Sequence, residues 1–149
     1  MGLTDLARRF PWGRFLKFCI VGGSGVLVNY GVYLPLTRWL GVMEEWAQAD
    51  SIAVSILTNF LLNELWTFRD RRSGGAGGFF RRIGQFYLVS LGGAAIQWGV
   101  SMPLCYRALH VPDMLAVLVG IGVATAWNFL LNLAWTWKKS SGRPAGPAA

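Results

Sequence analysis

The sequence predicts an all-α integral membrane protein with four transmembrane helices, arranged as two helical hairpins of the same topology. Three observations predict this class. Hydrophobic residues make up 54% of the 149 residues and charged residues only 14%, whereas an ordinary soluble domain carries about 25% charged residues. Four segments are long and apolar enough to cross a bilayer, which takes about 20 residues. The two halves of the chain also repeat each other in sequence.

The four predicted spans cover residues 15–39, 47–68, 83–106 and 112–137. Eight tryptophans and four tyrosines fit the aromatic belts at the two surfaces of a bilayer. The first span is too long for a cleavable signal, and the segment "TRWLGVMEEW" that follows it lacks a small-residue cleavage pattern. The predicted organisation is a cytoplasmic N-terminal segment 1–13, a transmembrane domain 14–139 with repeats 14–70 and 82–139 around a Gly-rich cytoplasmic linker 73–78, and a disordered tail 140–149.

Basic residues are concentrated on one side of the predicted spans. Of the 14 Lys and Arg residues, 12 lie before or at the very start of the first span, between the second and third, or after the fourth, and only Arg38 and Arg107 lie on the opposite side. Because cytoplasmic loops collect Lys and Arg, both termini and the middle loop are predicted on the cytoplasmic side of the cell membrane. The net charge of +7 then reflects membrane orientation rather than nucleic-acid binding, since the basic residues lie between apolar runs.

The repeat is clearest where the second and fourth spans end. The stretch "NFLLNELWTF" (Asn59–Phe68) returns as "NFLLNLAWTW" (Asn128–Trp137), with seven of ten positions identical. The first and third spans align at an offset of 68 residues, which places Asn29 on Gln97. Because each half holds an even number of spans, both halves share one topology, and any pseudo-twofold axis is expected along the membrane normal.

Polar side chains recur at every fourth residue of the predicted spans and therefore share one face of each helix. Amides in such stripes either hydrogen-bond neighbouring helices as packing groups or bind a ligand. Both uses are compatible if the four stripes line a polar cleft. The candidate substrate-binding amides are Asn29, Asn59, Asn63, Gln97, Asn128 and Asn132.

Glu64 flanks this stripe at the position where the second half has Leu133. An ionised carboxylate near the bilayer centre costs about 2.5–3.5 kcal/mol, which makes it a functional candidate. Glu64 also lies about one helical turn from Phe68 and the cytoplasmic interface, where a carboxylate can reach headgroups or pair with an arginine. The sequence leaves both uses open.

Four spans, a glycine-rich first span, the "NFLLNELWTFR" ending of the second span and its echo in the fourth resemble the GtrA-like family over about residues 14–138. The resemblance implies a multi-pass protein of polysaccharide biosynthesis that moves polyprenyl-phosphate-linked sugars from the cytoplasmic to the outer leaflet. It also implies membrane lipid, the lipid-linked sugar, and either a second copy in a homodimer or a membrane glycosyltransferase as partners. Many members carry an acidic residue near Asn29 and a basic one near Glu64, and this sequence has an amide and an acid instead.

Under the flipping hypothesis the amides and Glu64 contact the sugar, while cations at the cytoplasmic mouth capture its phosphate. Trp66 and Trp135 either stack on sugar faces or anchor the protein at the interface. The basic residues alternatively serve only orientation and contact with anionic lipid. The candidate phosphate-binding residues are Lys17, Arg69, Arg81 and Arg82.

Two alternatives to flipping remain open from the sequence: a membrane anchor that recruits a glycosyltransferase without transporting anything, and a small proton-coupled exporter with Glu64 as the proton carrier. An enzyme is not expected, because no Ser/His/Asp or Cys/His grouping accompanies the embedded carboxylate. No metal or cofactor is expected either. The "GGSG" at Gly22 lies in a span and lacks the Gly-Lys-Ser/Thr of a nucleotide-binding loop.

Overall fold

The computed structural model describes residues 10–103 and 113–138 of the protein. These residues form an all-helical structure without strands, as the sequence predicts. Two of the long helices continue into a π-helical turn, and a short 3₁₀ turn joins the two halves. The elements are α1 (Trp12–Arg38), α2 (Glu44–Leu62) with the π turn Asn63–Thr67, the 3₁₀ turn Arg69–Arg71, α3 (Gly75–Pro103), and α4 (Asp113–Leu131) with the π turn Asn132–Thr136.

The helix bounds follow the predicted spans, except at the start of α3. That helix begins at Gly75, inside the Gly-rich stretch 73–78 predicted as a linker. Gly74 and Gly75 have positive φ angles of 82° and 54°, which glycine adopts without steric cost, and the Gly78 N–H donates to the Gly74 carbonyl at 2.8 Å. The predicted segment 1–13 before Phe10, the end of the third span, the loop with Arg107, and the tail 140–149 lie outside the described residues.

The helices pack in sequential pairs, α1 along α2 and α3 along α4, so that the chain forms two helical hairpins. Large apolar side chains such as Leu27, Leu88 and Leu118 are more than half exposed on the outside, which is unusual for a soluble monomer. Within residues 10–103 and 113–138, two segments combine spanning length with high mean hydropathy, namely Trp12–Arg38 at 1.4 and Val117–Thr136 at 1.7. Only 17% and 22% of these segments are buried, so they are lipid-facing in character rather than core helices.

An aromatic cluster joins the hairpins at the end where α1 begins and the two π turns lie. Trp137 stacks on Phe68 with ring centroids 4.3 Å apart and 11° between the planes, an arrangement that adds to the energy of burial. The other rings meet mostly edge to face. The six buried members form three pairs whose partners stand 68 or 69 residues apart: Phe18 with Phe86, Phe60 with Phe129, and Phe68 with Trp137.

The two π turns direct the last rings into this cluster. The Asn63 carbonyl accepts the Phe68 N–H and the Asn132 carbonyl accepts the Trp137 N–H, each at 2.8 Å. Such five-residue bonds add one residue to a helical turn, and one residue corresponds to about 100° of rotation around the axis. The extra residue therefore sets which side chains of each ending face inward, a feature that the apolar pattern alone does not predict.

Arg71 fastens the end of the fourth helix to the turn between the hairpins. Its Nη1 donates to the carbonyls of Leu133 at 3.3 Å and Trp137 at 3.2 Å, groups that a helix end otherwise leaves without partners. Burial lowers the pKa of the Arg71 guanidinium, the nearby Arg14 charge lowers it further, and Asp70 raises it. Arginine nevertheless stays charged in proteins, and a cation at a helix C-terminus is favourable.

The first hairpin carries two hydrogen bonds between its helices. Ser55 Oγ donates to the Gly25 carbonyl at 2.8 Å, and Asn29 Nδ2 donates to Ser51 Oγ at 3.1 Å. Small hydroxyl residues of this kind let two helices approach closely in a membrane. These bonds fix the position of α1 against α2 along the polar stripe predicted from the sequence.

We expect Ser55→Ala to lower the free energy of unfolding by about 0.6 kcal/mol, and at most about 1.7 kcal/mol, as for other interhelical bonds in membranes. The measurement is reversible unfolding in mixed micelles followed by circular dichroism. Thr58→Ala is the matched control, because Thr58 Oγ1 donates to the Val54 carbonyl of its own helix at 2.9 Å. An equal loss in both variants would contradict a specific role for the Ser55 bond.

An amide-lined cleft between the hairpins

A cleft of about 630 Å³ lies between the hairpins and is lined by residues of all four helices and the first π turn. Phe18 and Phe86 of the aromatic cluster are among its lining residues. Gly22 and Gly23 of α1 and Gly122 of α4 form part of its wall, and nothing lies within 4 Å of a Cβ placed at these positions. The absence of side chains at these glycines therefore leaves open space in the cleft that neighbouring side chains do not fill.

Two of the asparagine amides that line the cleft, those of Asn59 and Asn128, each lie against a glycine of the neighbouring helix. A Cβ at Gly25 would lie 2.8 Å from Asn59 Oδ1, and a Cβ at Gly93 would lie 2.7 Å from Asn128 Cγ. Both distances are shorter than real contacts allow, so any larger residue would displace the amide. The glycines at these two positions therefore place Asn59 and Asn128 in the cleft wall.

Three amide oxygens of the cleft are buried without a hydrogen-bond partner among the described residues: Asn59 Oδ1, Asn63 Oδ1 and Asn128 Oδ1. Asn63 is only 1% exposed, and its Nδ2 donates to the Asn59 carbonyl at 2.9 Å. A buried acceptor left without a donor costs about 1–3 kcal/mol. These oxygens are covered by neighbouring atoms, so hydroxyl or N–H groups of a bound molecule reach them only when those neighbours move aside. With that movement the cleft can accept a hydroxyl-rich ligand.

The remaining predicted amides divide between the cleft and the helix packing. Gln97 lines the cleft with Asn59, Asn63 and Asn128. Asn29 is engaged with Ser51, and the fully buried Asn132 accepts a bond from Thr136 Oγ1 at 2.7 Å. Neither is among the cleft-lining residues. Some residues of the polar stripe therefore take part in helix packing, whereas others line the open space of the cleft.

Glu64 takes part in a buried ion pair with Arg82 of α3. The Arg82 guanidinium donates from Nη2 to Oε1 at 2.6 Å and from Nε to Oε2 at 3.0 Å, and Trp137 Nε1 donates to Oε2 at 2.6 Å. Arg82 Nη1 also donates to the Ser73 carbonyl. Glu64 is 3% and Arg82 4% exposed. The carboxylate predicted as a sugar contact or proton carrier and the cation predicted to bind phosphate are thus hydrogen-bonded to each other, away from the cleft lining.

The other predicted site residues lie on the surface of the bundle. Trp66 and Trp135 are 44% and 46% exposed and do not line the cleft. Lys17 Nζ lies 5.3 Å from the centre of the Trp66 ring, which is a cation–π distance. Arg69 and Arg81 are exposed. Both tryptophans thus lie outside the cleft, and the cation–π contact holds Lys17 outside it as well.

Neither the contact of Trp137 with Glu64 nor the aromatic cluster was predicted from the sequence. A signal for the cluster is present in the repeat, because its members are apolar ring residues at matched positions of both halves. No corresponding signal marks the Glu64–Arg82 pair, since Glu64 is matched by Leu133. Their contact depends on how α3 packs beside the first π turn.

The fold and the cleft define a class of protein: an all-helical membrane domain with a mainly apolar cleft between two hairpins, into which a few amides project. Comparison with known families agrees with this class. The family described as the GtrA/DPMS transmembrane domain matches residues 17–137. The chain therefore belongs to this family and is a membrane protein, as the resemblance noted in the sequence implies.

One relative of known name is similar to most of this chain. The chain is 38% identical over 139 residues to a dolichol-phosphate mannosyltransferase of Pyrococcus furiosus. The alignment covers 91% of this chain but only 38% of that protein. The chain thus corresponds to a minor part of its relative.

Proposed function

We propose that the protein moves a polyprenyl-phosphate-linked sugar from the cytoplasmic to the outer leaflet of the cell membrane, for the synthesis of cell-surface polysaccharide or glycan. The observation that carries this proposal is the cleft with its unpartnered amide oxygens of Asn59, Asn63 and Asn128. A sugar supplies hydroxyl donors to these acceptors, while the polyprenyl tail stays in the lipid. The name of the relative, a dolichol-phosphate mannosyltransferase, supports a lipid of this chemical class.

The proposal includes an arrangement in the membrane. All four helices cross the bilayer, both termini and the turn Arg69–Arg71 face the cytoplasm, and the hairpins are repeats of one topology. The matched amide–glycine contacts of Asn59 with Gly25 and Asn128 with Gly93 support the repeat. The concentration of basic residues on one side supports the orientation.

Phosphate capture falls to cations at the cytoplasmic end. Arg69 and Arg81 are exposed there and free to meet a headgroup from the inner leaflet. Lys17 would leave the Trp66 ring to do so, and Arg82 would first have to leave Glu64. We therefore assign first contact with the phosphate to Arg69 and Arg81.

The test is transport of a short-chain polyprenyl-phosphate mannose in proteoliposomes, read by loss of its sugar to a membrane-impermeant oxidant. We expect the Asn59→Ala, Asn128→Ala double variant to reduce the transport rate at least tenfold, because it removes one hydrogen-bonding amide from each hairpin. Asn29→Ala is the control, since that amide bonds Ser51 outside the cleft. Unchanged transport in a normally folded double variant would contradict the proposal.

A second candidate function is recruitment of a membrane glycosyltransferase, alone or together with a second copy of the chain. It is favoured by the fact that the chain matches only 38% of a protein named as a mannosyltransferase. The contact would use the exposed basic residues Arg69, Arg72 and Arg81. Charge reversal at the three arginines should abolish copurification with the enzyme but spare helix packing.

A further inference from the structure

The two hairpins hold one matched pair of amides, Asn29 and Gln97, in different ways. In the first hairpin, Ser51 of α2 accepts the hydrogen bond of the Asn29 amide at 3.1 Å. The positions that correspond to these residues in the second hairpin are Gly120 and Gln97. Gly120 has no side chain and cannot supply the hydroxyl. The second hairpin therefore keeps an amide on α3 but lacks the group that holds it against the neighbouring helix.

This difference decides where the two amides lie. Asn29 is held in the interface between α1 and α2 and does not line the cleft. Gln97 lines the cleft, is half-buried, and forms no hydrogen bond to another residue in the described part of the chain. Its side chain is also one methylene longer than that of Asn29. Gln97 thus presents a free donor and a free acceptor to the cleft.

The other polar groups of the cleft are less free to adapt. Asn59 and Asn128 are pressed against glycines, and Asn63 donates to the backbone of its own helix. These amides offer fixed acceptors to any hydroxyl in reach. A longer side chain without a partner within the protein can instead select between arrangements of hydroxyl groups, because it can donate to one and accept from its neighbour.

We propose that Gln97 is the specificity-determining residue of the cleft and reads the orientation of the sugar hydroxyl groups on the bound lipid. This inference rests on the proposed function, since it takes the ligand to be a lipid-linked sugar. A site that bonds a hydroxyl discriminates against a ligand that presents it elsewhere, because buried polar groups are then left unpaired. One neutral hydrogen bond of this kind corresponds to about a tenfold difference in affinity.

The experiment measures dissociation constants of short-chain polyprenyl-phosphate mannose, glucose and galactose for the protein in nanodiscs. Mannose and galactose each differ from glucose in the orientation of one hydroxyl group. We expect the wild type to bind the three lipids with different dissociation constants. The spread, which is the ratio of the highest to the lowest constant, should fall about tenfold in Gln97→Leu. Gln97→Asn retracts the amide by one methylene and should give an intermediate spread. This milder variant tests the same prediction if the leucine variant does not fold.

Asn29→Leu is the matched control, because it alters the equivalent amide outside the cleft. It should lower the thermal midpoint without changing the order or spread of the three affinities. An unchanged spread in Gln97→Leu, or a wild type that binds all three lipids equally, overturns the inference. Discrimination in binding without any transport in proteoliposomes overturns flipping but leaves the role of Gln97 intact. Failure to bind any of the three lipids overturns both.

Discussion

Replacement of Arg82 by methionine is expected to lower the free energy of unfolding by about 3–5 kcal/mol. Glu64 is 3% exposed and takes two of its three hydrogen bonds from Arg82. Without the guanidinium, the carboxylate would be buried with only the Trp137 N–H as a partner. Loss of one member of a buried pair is costly because the other charge stays desolvated. Reversible unfolding in mixed micelles measures the loss.

The repeat supplies the control for this variant. Arg14 matches Arg82 at the offset of 68 residues and pairs with Asp70, but the side chains of that pair are 28% and 49% exposed. Arg14→Met should therefore cost no more than about 1 kcal/mol. Combining Arg82→Met with Glu64→Leu should recover at least half of the loss, since Leu133 occupies the matched position in the other half. Equal losses of unfolding free energy in Arg82→Met and Arg14→Met would contradict the prediction that breaking the buried Glu64–Arg82 pair costs more than breaking an exposed pair.

The second large effect is expected on transport, from alanine at both Gly25 and Gly93. Each new methyl group would overlap the amide of Asn59 or Asn128, so both amides must leave their positions in the cleft wall. We expect a cost of about 1–3 kcal/mol for each substitution and at least a tenfold lower transport rate in proteoliposomes, since the double variant displaces the same amides that the asparagine variants remove. Unfolding and transport are measured on the same preparation.

Gly31 and Gly99 provide a matched control pair in the same two helices, because nothing lies within 4 Å of a Cβ at either position. Alanine at these positions should preserve transport and stabilise the helices slightly, as alanine favours helix over glycine by about 1 kcal/mol. In addition, Asn59→Ala should relieve the stability cost of Gly25→Ala. If the two glycine pairs behave alike, the amide–glycine contacts do not organise the cleft.

The helices could be predicted because their signals are local and long. Apolar runs, basic loops and the repeated "NFLLN" place four helices within a few residues, apart from the early start of α3. The four-residue spacing of Asn59 and Asn63 likewise predicts a shared polar face. These features depend on residues that are close to one another along a single helix, so they can be recognised directly in the sequence.

The positions of individual polar groups could not be predicted, because they depend on contacts across helices. Asn29 and Gln97 have equivalent places in the repeat, yet only Gln97 lines the cleft, because Ser51 holds Asn29. The π turns likewise depend on one added residue that rotates Phe68 and Trp137 inward. A periodic pattern of polar residues indicates a face, but the neighbouring helix decides which of them remain free.

The buried ion pair also bears on how the chain is made. Glu64 and Arg82 are 18 residues apart, whereas Glu64 and Trp137 are 73 apart. At synthesis rates of about 5–20 residues per second, Arg82 follows Glu64 after about 1–4 s and Trp137 after about 4–15 s. The nascent first hairpin can therefore neutralise its carboxylate with the start of the third helix, well before the fourth helix is complete. The ion pair would thus protect a half-made protein from a lone charge in the bilayer.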